Sequence, residues 1–330
     1  MALTLEEAKV GYADKVEQYV IDEFRRSSIL LDKLTFDDTI SPTGGSNLVY
    51  GYQRLETPST ASVRQINAEY SPNEAKRTKC TASPVILGGS FQIDRVIAQT
   101  SGAINEMDFQ IKEKTKAGAN YFHNLVINGT SAASGTGYVP NTFDGLKKIL
   151  SGKSTEMTTN IDISTSALLD SNYNALLDEL DTFIALLAAK PDVLMMNSKM
   201  LTKVKSAARR AGYYDRNKDD FGRTVETYNG IILMDAGQYY NGSTTEDVVS
   251  TSTPSSDAYG TTDIYAAKLG LDAFHGISVD GSKMLKTYLP DLQAPGAVKT
   301  GEVELIAGAV LKNSKMAGVL KGIKLLGKTA

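Results

Sequence analysis

Along residues 4–26 apolar side chains recur mostly every three or four positions, at Leu5, Ala8, Tyr12, Val16, Tyr19 and Phe24. That spacing predicts an amphipathic helix. Thr4 and Glu7 stand where a capping box opens one, the hydroxyl accepting from the Glu7 amide and the carboxylate reaching back to the Thr4 amide. The pattern breaks over 36–45, a turn-rich stretch with Pro42 and the Gly44–Gly45 pair. It changes character at 46–92, where strand formers dominate, charges fall along both halves, and Pro58, Pro72, Pro84, Gly88 and Gly89 punctuate the run. This segment predicts two extended arms joined by a loose tip. Each arm of about 20 residues would reach roughly 60 Å at strand rise. A two-stranded ribbon of that length cannot bury enough apolar surface to hold itself. The pattern therefore calls for a cover from outside the subunit, most economically a second copy of the chain.

A helical stripe returns over 94–127, through Ile97, Ile104, Met107, Ile111, Gly118, Phe122 and Leu125, and Asn128–Gly129 ends it with a left-handed cap signal. Residues 130–137 predict a flexible loop. From there helices and strands alternate. A helix over 171–189 carries Leu176, Leu177, Leu180, Phe183, Ile184 and Leu187 inward and stops before Pro191. The apolar run 192–197 predicts a short buried strand, and Ser198 caps a helix that Gly212 ends. Residues 224–235 predict two strands around a turn at Asn229–Gly230. An exposed Ser/Thr-dense loop over 243–256, a strand at 263–270 and returning strands near the C-terminus complete an α+β chain.

Composition narrows the class. The chain has 330 residues, 42% hydrophobic and 22% charged, which suffices for a substantial core. A formal net charge of -3 gives no global basic field for nucleic acid. The single cysteine, Cys80, excludes an internal disulfide framework and suits a reducing cytosol. The best apolar run, 183–189, is too short to span a membrane, and the acidic N-terminus lacks a signal-peptide pattern, so the expectation is a soluble protein made in a cytoplasm. Residues 1–40 hold nine acids against five bases, and residues 296–330 six bases against two acids. Two solvated faces would explain this. So would an acidic arm lying on a neighbour's basic terminus, a complementarity that sets register more than affinity.

Constellations for chemistry are imitations. Gly152-Lys153-Ser154 resembles the tail of a phosphate loop, but the position five before Gly152 is Lys147 where the motif needs glycine. Asp215, Asn217, Asp219 and Glu226 match positions one, three, five and twelve of a calcium loop and form the one weak metal candidate. Position six is Asp220 in place of the turn glycine, and the segment that follows predicts strand, which favours a solvated acidic turn. His123 and His275 lack partners at metal spacing, and Cys80 lacks a local base and orienter. No catalytic set and no cofactor is predicted.

The order of parts carries more information. After the helical arm and the two-stranded excursion come the strand PVILGGSFQI, a long helix closing in LVINGT, and FDGLKKIL at 143–150. ALLDELDTFIALLA, DVLMMN, SKMLTKVKSA, TYNGIILMDAG and IYAAKLGLDAFHGI follow in turn, with a final strand pair. This resembles the major capsid protein of tailed double-stranded DNA bacteriophages, with the Hong Kong 97-type fold, over nearly the whole chain. It rests on the order and size of elements and on the ING…FDGL pair.

The resemblance implies an N-terminal arm at 1–45 and an extended loop at 46–92 lying over an adjacent subunit. It implies a peripheral domain with a long spine helix at 93–138, an axial α/β domain at 139–295, and peripheral return strands at 296–330. Arg54, Arg64, Lys76, Arg77 and Lys79 would then meet acidic patches on neighbours. One relative links subunits covalently through a Lys on the extended loop and an Asn in the peripheral domain; by location Lys76 or Lys79 and Asn313 would match. The function implied is structural, not enzymatic: hexamers and pentamers forming an icosahedral virion head around double-stranded DNA, contacted nonspecifically, assembled in the host cytoplasm as a procapsid that matures. With the arm beginning at Met1, a separate scaffolding protein is expected, with a portal protein, a possible decoration protein and no membrane. An encapsulin-type nanocompartment shell is the first alternative. An α/β enzyme of unknown chemistry on 139–295 is the second, and it leaves the ribbon unexplained.

Overall fold

A computed structural model describes residues 29–39, 48–96, 106–131, 142–212, 215–218, 224–279 and 285–328. The helix expected at 4–26, the turns at 40–45 and most of the loop at 130–137 lie outside the described residues.

In chain order the first elements are α1 (Ile29–Lys33), β1 (Phe36–Asp38), β2 (Tyr50–Thr57), β3 (Lys76–Ala82) and β4 (Val85–Asp94). Next come α2 (Glu106–Asn128), α3 (Leu146–Leu150), β5 (Glu156–Thr158), α4 (Ser166–Ala185), β6 (Val193–Met196) and α5 (Ser198–Ala211). They are followed by β7 (Asp215–Lys218), β8 (Thr224–Tyr228), β9 (Ile231–Asp235), β10 (Gln238–Tyr240) and β11 (Thr245–Asp247). The last strands are β12 (Gly260–Ala267), β13 (Phe274–Ser278), β14 (Leu285–Tyr288), β15 (Val298–Leu311) and β16 (Ala317–Leu326).

Two sheets organise the body. In the first, β15 is the central strand. β4 runs antiparallel along one edge, from Val298 opposite Asp94 to Ala307 opposite Val85. β13 and β14 share its other edge, and β1 adds parallel to β13. The second sheet has the order β5-β16-β12-β6-β9-β8-β7. Helix α2 packs on the first sheet, with Phe122 and Leu125 in one core with Leu87, Phe91, Val303 and Leu305. That core continues onto one face of the second sheet through Val193, Met195, Tyr265 and Val319. The opposite face carries α4 and α5, with Leu180, Phe183 and Val204 packed among Leu194, Met196, Ile264 and Leu320.

The burial of β6 follows from this layering. Its four residues alternate between the two cores and are all buried, so a strand covered on both sides reads as an unbroken apolar run. The hairpin expected at 224–235 forms, with Asn229 and Gly230 at φ 51° and 73°, the left-handed pair that a two-residue turn demands.

Several expectations are corrected. The ribbon expected over 46–92 divides in two. Only β2 and β3 pair as a ribbon, while 85–94 joins the first sheet along its whole length. The reason is period-two alternation: Val85, Leu87, Phe91 and Ile93 are buried, with Ile86 and Gln92 exposed between them. At eight residues for the longer strand, the paired arm spans about 26 Å rather than 60 Å. Helix α4 begins at Ser166 rather than near 171, because Thr165 accepts from the Leu168 amide at 3.2 Å. Helix α5 is capped by Asn197 and not by Ser198; its Oδ1 accepts from the Met200 amide at 2.7 Å. Residues 36–38 form a strand on β13 where turns were expected. Finally, the return strands part company: β15 lies in the first sheet, but β16 lies in the second between β5 and β12. The stretch 296–330 therefore does not sit wholly with the spine helix.

Candidate assembly surfaces

Among the described residues the ribbon is tied to the body at its root. Pairing runs from Tyr50 opposite Ala82 to Leu55 opposite Arg77, and an irregularity precedes the last pair, Thr57 with Lys76. Every residue from Leu55 to Lys79 is exposed. Val63 is 100% and Ile66 91% exposed, which a tip covered by its own chain would not show. Lys76, Arg77 and Lys79 stand exposed on β3, where lysine and arginine also discourage promiscuous edge pairing. Arg64 stays within the tip, donating to the Ala68 carbonyl at 3.1 Å and lying 5.5 Å from the centre of the Tyr70 ring.

Arg54 departs from expectation. Its Nε donates to the Lys312 carbonyl at 2.9 Å and its Nη2 to the Leu311 carbonyl at 2.8 Å. It therefore ties the ribbon to the end of β15 in its own subunit. Tyr50 adds a second tie, its hydroxyl donating to Asp37 Oδ2 at 2.6 Å. Burial, then that hydrogen bond and the carboxylate charge, raise the phenol pKa above its ordinary value.

The ING…FDGL pair has a physical meaning. Gly129 ends α2 and donates to Leu125 O, and its own carbonyl accepts from the Gly145 amide at 2.8 Å. A Cβ at Gly145 would sit 2.6 Å from Ile127 O and 2.7 Å from both Gly129 N and Leu125 O, all backbone atoms. A Cβ at Gly129 would overlap the Phe143 and Leu125 carbonyls. The end of the long helix and the start of α3 thus touch backbone to backbone, which only glycine permits. Asp144 secures the junction, accepting from the Ser131 amide at 2.7 Å, the Ser131 hydroxyl at 2.6 Å and Lys148 Nζ at 2.8 Å. Burial opposes ionisation of Asp144, but these donors outweigh it and hold the carboxyl below its usual range. Nearby, Asn128 donates to the Val248 carbonyl at 2.7 Å.

The described part of the calcium-loop spacing lies on strands. Asp215 and Asn217 lie on β7, paired antiparallel with Thr227 and Val225 of β8. Glu226 is on β8 and forms an ion pair with Lys205 of α5; Asp219 lies outside the described residues. Asp215, Asn217 and Glu226 are thus spread along two paired strands. Among the described residues no group of three or more His, Cys, Asp or Glu is placed to hold a metal. Gly152 and Lys153 form a turn after a helix, whereas a phosphate loop precedes one. His123, on α2, is pushed down to about 4 by burial. No described helix is long and apolar enough to cross a membrane.

Comparison with known proteins fits this geometry. The family model of the SU10 major capsid protein matches residues 76–232. No curated protein matches the sequence. Among solved structures, the SrpI encapsulin of Synechococcus elongatus aligns with a TM-score of 0.62 at 12% identity, over 91% of this chain and 89% of that one. The capsid of a native GTA particle aligns with a TM-score of 0.54 at 12% identity, over 90% of each chain. The capsid of the Myoviridae phage XM1 gives 0.53 at 12% identity, over 87% of this chain and 90% of that one. At such identity the structures speak for the fold, and the family match speaks for likeness over residues 76–232. With the exposed ribbon, the long helix on its sheet and the two-faced α/β layer, they give the chain the Hong Kong 97-type fold of phage capsids, and over residues 76–232 the chain is similar to the SU10 major capsid protein.

Proposed function

We propose that this chain is a major capsid protein that assembles with copies of itself into hexamers and pentamers closing a phage head around double-stranded DNA. The carrying observation is the ribbon. Residues 55–79 present Val63, Ile66 and Tyr70 to solvent at a loose tip, with Lys76, Arg77 and Lys79 along the adjoining strand. Cover from a neighbour would bury the apolar groups, at about 25 cal/mol per Å² removed from water. Arg64, Lys76, Arg77 and Lys79 would select geometry, since single exposed pairs contribute only about 0–1 kcal/mol each. On this reading 1–45 is the arm and 93–138 the peripheral part. Residues 139–295 are the axial part, joined there by β16, whose strand partners are β5 and β12. DNA contact is nonspecific and electrostatic. Scaffolding, portal and decoration proteins, and assembly in a host cytoplasm, belong to the same proposal.

The test replaces residues 58–75 by a short Gly-Ser turn. Wild-type protein should give closed shells or capsomer rings by negative-stain electron microscopy, and the variant should give folded, dispersed subunits. Shells formed equally well by both would remove the ribbon from assembly. A second reading, a nanocompartment shell, is favoured by the encapsulin match at a TM-score of 0.62. Particle contents separate the two: DNA supports the phage head, and a protein cargo supports the compartment.

A further inference from the structure

His275 is the least expected residue in the body. It is wholly buried, and neither ring nitrogen makes a well-formed hydrogen bond among the described residues, the Ala273 backbone offering only a weak one. A phenylalanine would fill the space without leaving two polar atoms poorly met, so an imidazole there asks for a reason.

Its position explains what covers it. On β13 the neighbours Phe274 and Gly276 belong to the core side: Phe274 is in the core cluster, and a Cβ at Gly276 would overlap the Phe36 ring, which packs on Phe122. Alternation along a strand puts His275 on the other face of the sheet. There the root of the ribbon lies over it. The Tyr50 ring meets the imidazole edge-on, with centroids 5.7 Å apart. Asp37 of β1 accepts from the Tyr50 hydroxyl, and Lys312 Nζ lies 5.4 Å from the Tyr50 ring centre. Arg54 holds the carbonyls of Leu311 and Lys312. One small cluster thus joins the histidine to both ties of the ribbon.

We propose that the ribbon root is a proton-sensitive latch, in which Tyr50 seals a neutral His275 and protonation of that imidazole drives Tyr50 away and loosens the ribbon from its sheet. The charges facing the ring act in both directions. Burial and the Lys312 ammonium disfavour the imidazolium; Asp37 across from β1, the Ala273 backbone and Asp272 in the preceding turn favour it less strongly. The balance keeps the sealed ring's pKa below its ordinary value. Once Tyr50 leaves, water reaches the ring and its affinity for protons returns toward about 6.5. The open root therefore binds protons better than the sealed one. Acidification through the ordinary histidine range favours opening, until the sealed form protonates as well; above that range the latch is indifferent to pH. By reciprocity, any contact that pulls the ribbon from its root raises the proton affinity of His275.

The test uses unassembled full-length subunits, so its outcome does not depend on the shell reading. Amide hydrogen exchange of a peptide covering residues 48–57, corrected for intrinsic rate and referred to one covering 319–326, is compared at pH 7.5 and 5.0. In wild type the root should lose protection several-fold at pH 5.0, and His275→Phe should lose none. Equal loss in the variant, or none in wild type, overturns the latch. Should His275→Phe fail to fold, exchange of the histidine C2 proton decides, since the chain has only 2 histidines. The His275 midpoint should lie below the ordinary value in wild type and rise in Tyr50→Ala. A midpoint indifferent to Tyr50 overturns the proposal.

Discussion

The ribbon tip and strand β6 dispose of apolar side chains in opposite ways. In β6 all four residues are buried, two against α4 and α5 and two against the core beneath α2. In the tip, Val63 and Ile66 meet only solvent from their own chain. The difference separates two tasks along one sequence. The layered body supplies the stability of the subunit, because its apolar groups leave water when the chain folds. The tip contributes almost nothing to that stability, and its apolar groups leave water only when another surface covers them.

Changes in the body should therefore unfold the subunit, and changes in the ribbon should spare it. The largest effect is expected at the backbone junction. Gly145→Ala forces a methyl into three backbone atoms and should cost about 3 kcal/mol or more in urea unfolding, or prevent folding. A stability within about 0.5 kcal/mol of wild type would mean that the junction opens without cost. Acid should act next. His123 is held neutral in the fold at about 4 and titrates near 6.5 when unfolded, so its contribution is intact above pH 6.5 and lost as pH falls toward 4. The loss is roughly 3 kcal/mol, and His123→Gln should flatten that part of the stability–pH curve. Arg54→Ala removes two hydrogen bonds from a charged donor at the ribbon root. It should cost about 2 kcal/mol locally and speed proteolysis within 48–82, leaving global unfolding nearly unchanged. The smallest effect on the subunit belongs to Val63→Ser with Ile66→Ser, within about 0.5 kcal/mol, while shell yield falls sharply. If that double variant destabilised the monomer instead, the tip would have an interior of its own and the contrast would fail.

Much of the body was legible because local patterns agreed with tertiary demand. The stripe Ile111, Phe122, Leu125 is the buried face of α2, and Asn229–Gly230 turns the hairpin as its dipeptide requires. Errors arose where a local signal had two uses. Gly88 and Gly89 looked like punctuation, yet Gly88 stands inside the first sheet where a Cβ would overlap the Val303 carbonyl. Asn197 looked like the end of a strand, but its side chain caps α5 and also donates to Val249 O, Thr251 Oγ1 and Thr262 Oγ1. Arg54 belongs to the same charged run as Lys76 and Lys79, and sequence had no means of showing that carbonyls 257 and 258 residues away would claim it.

By itself the chain determined its periods, its turns and the presence of a segment with too little apolar content to enclose itself, because these depend on neighbours a few residues apart. Only the tertiary structure decided that β16 crosses to the second sheet, that glycines 129 and 145 meet backbone to backbone, and that His275 lies sealed beneath Tyr50. Those are contacts between distant residues. They are fixed by which faces are left uncovered once the helices and strands have formed, and a linear pattern carries no record of that.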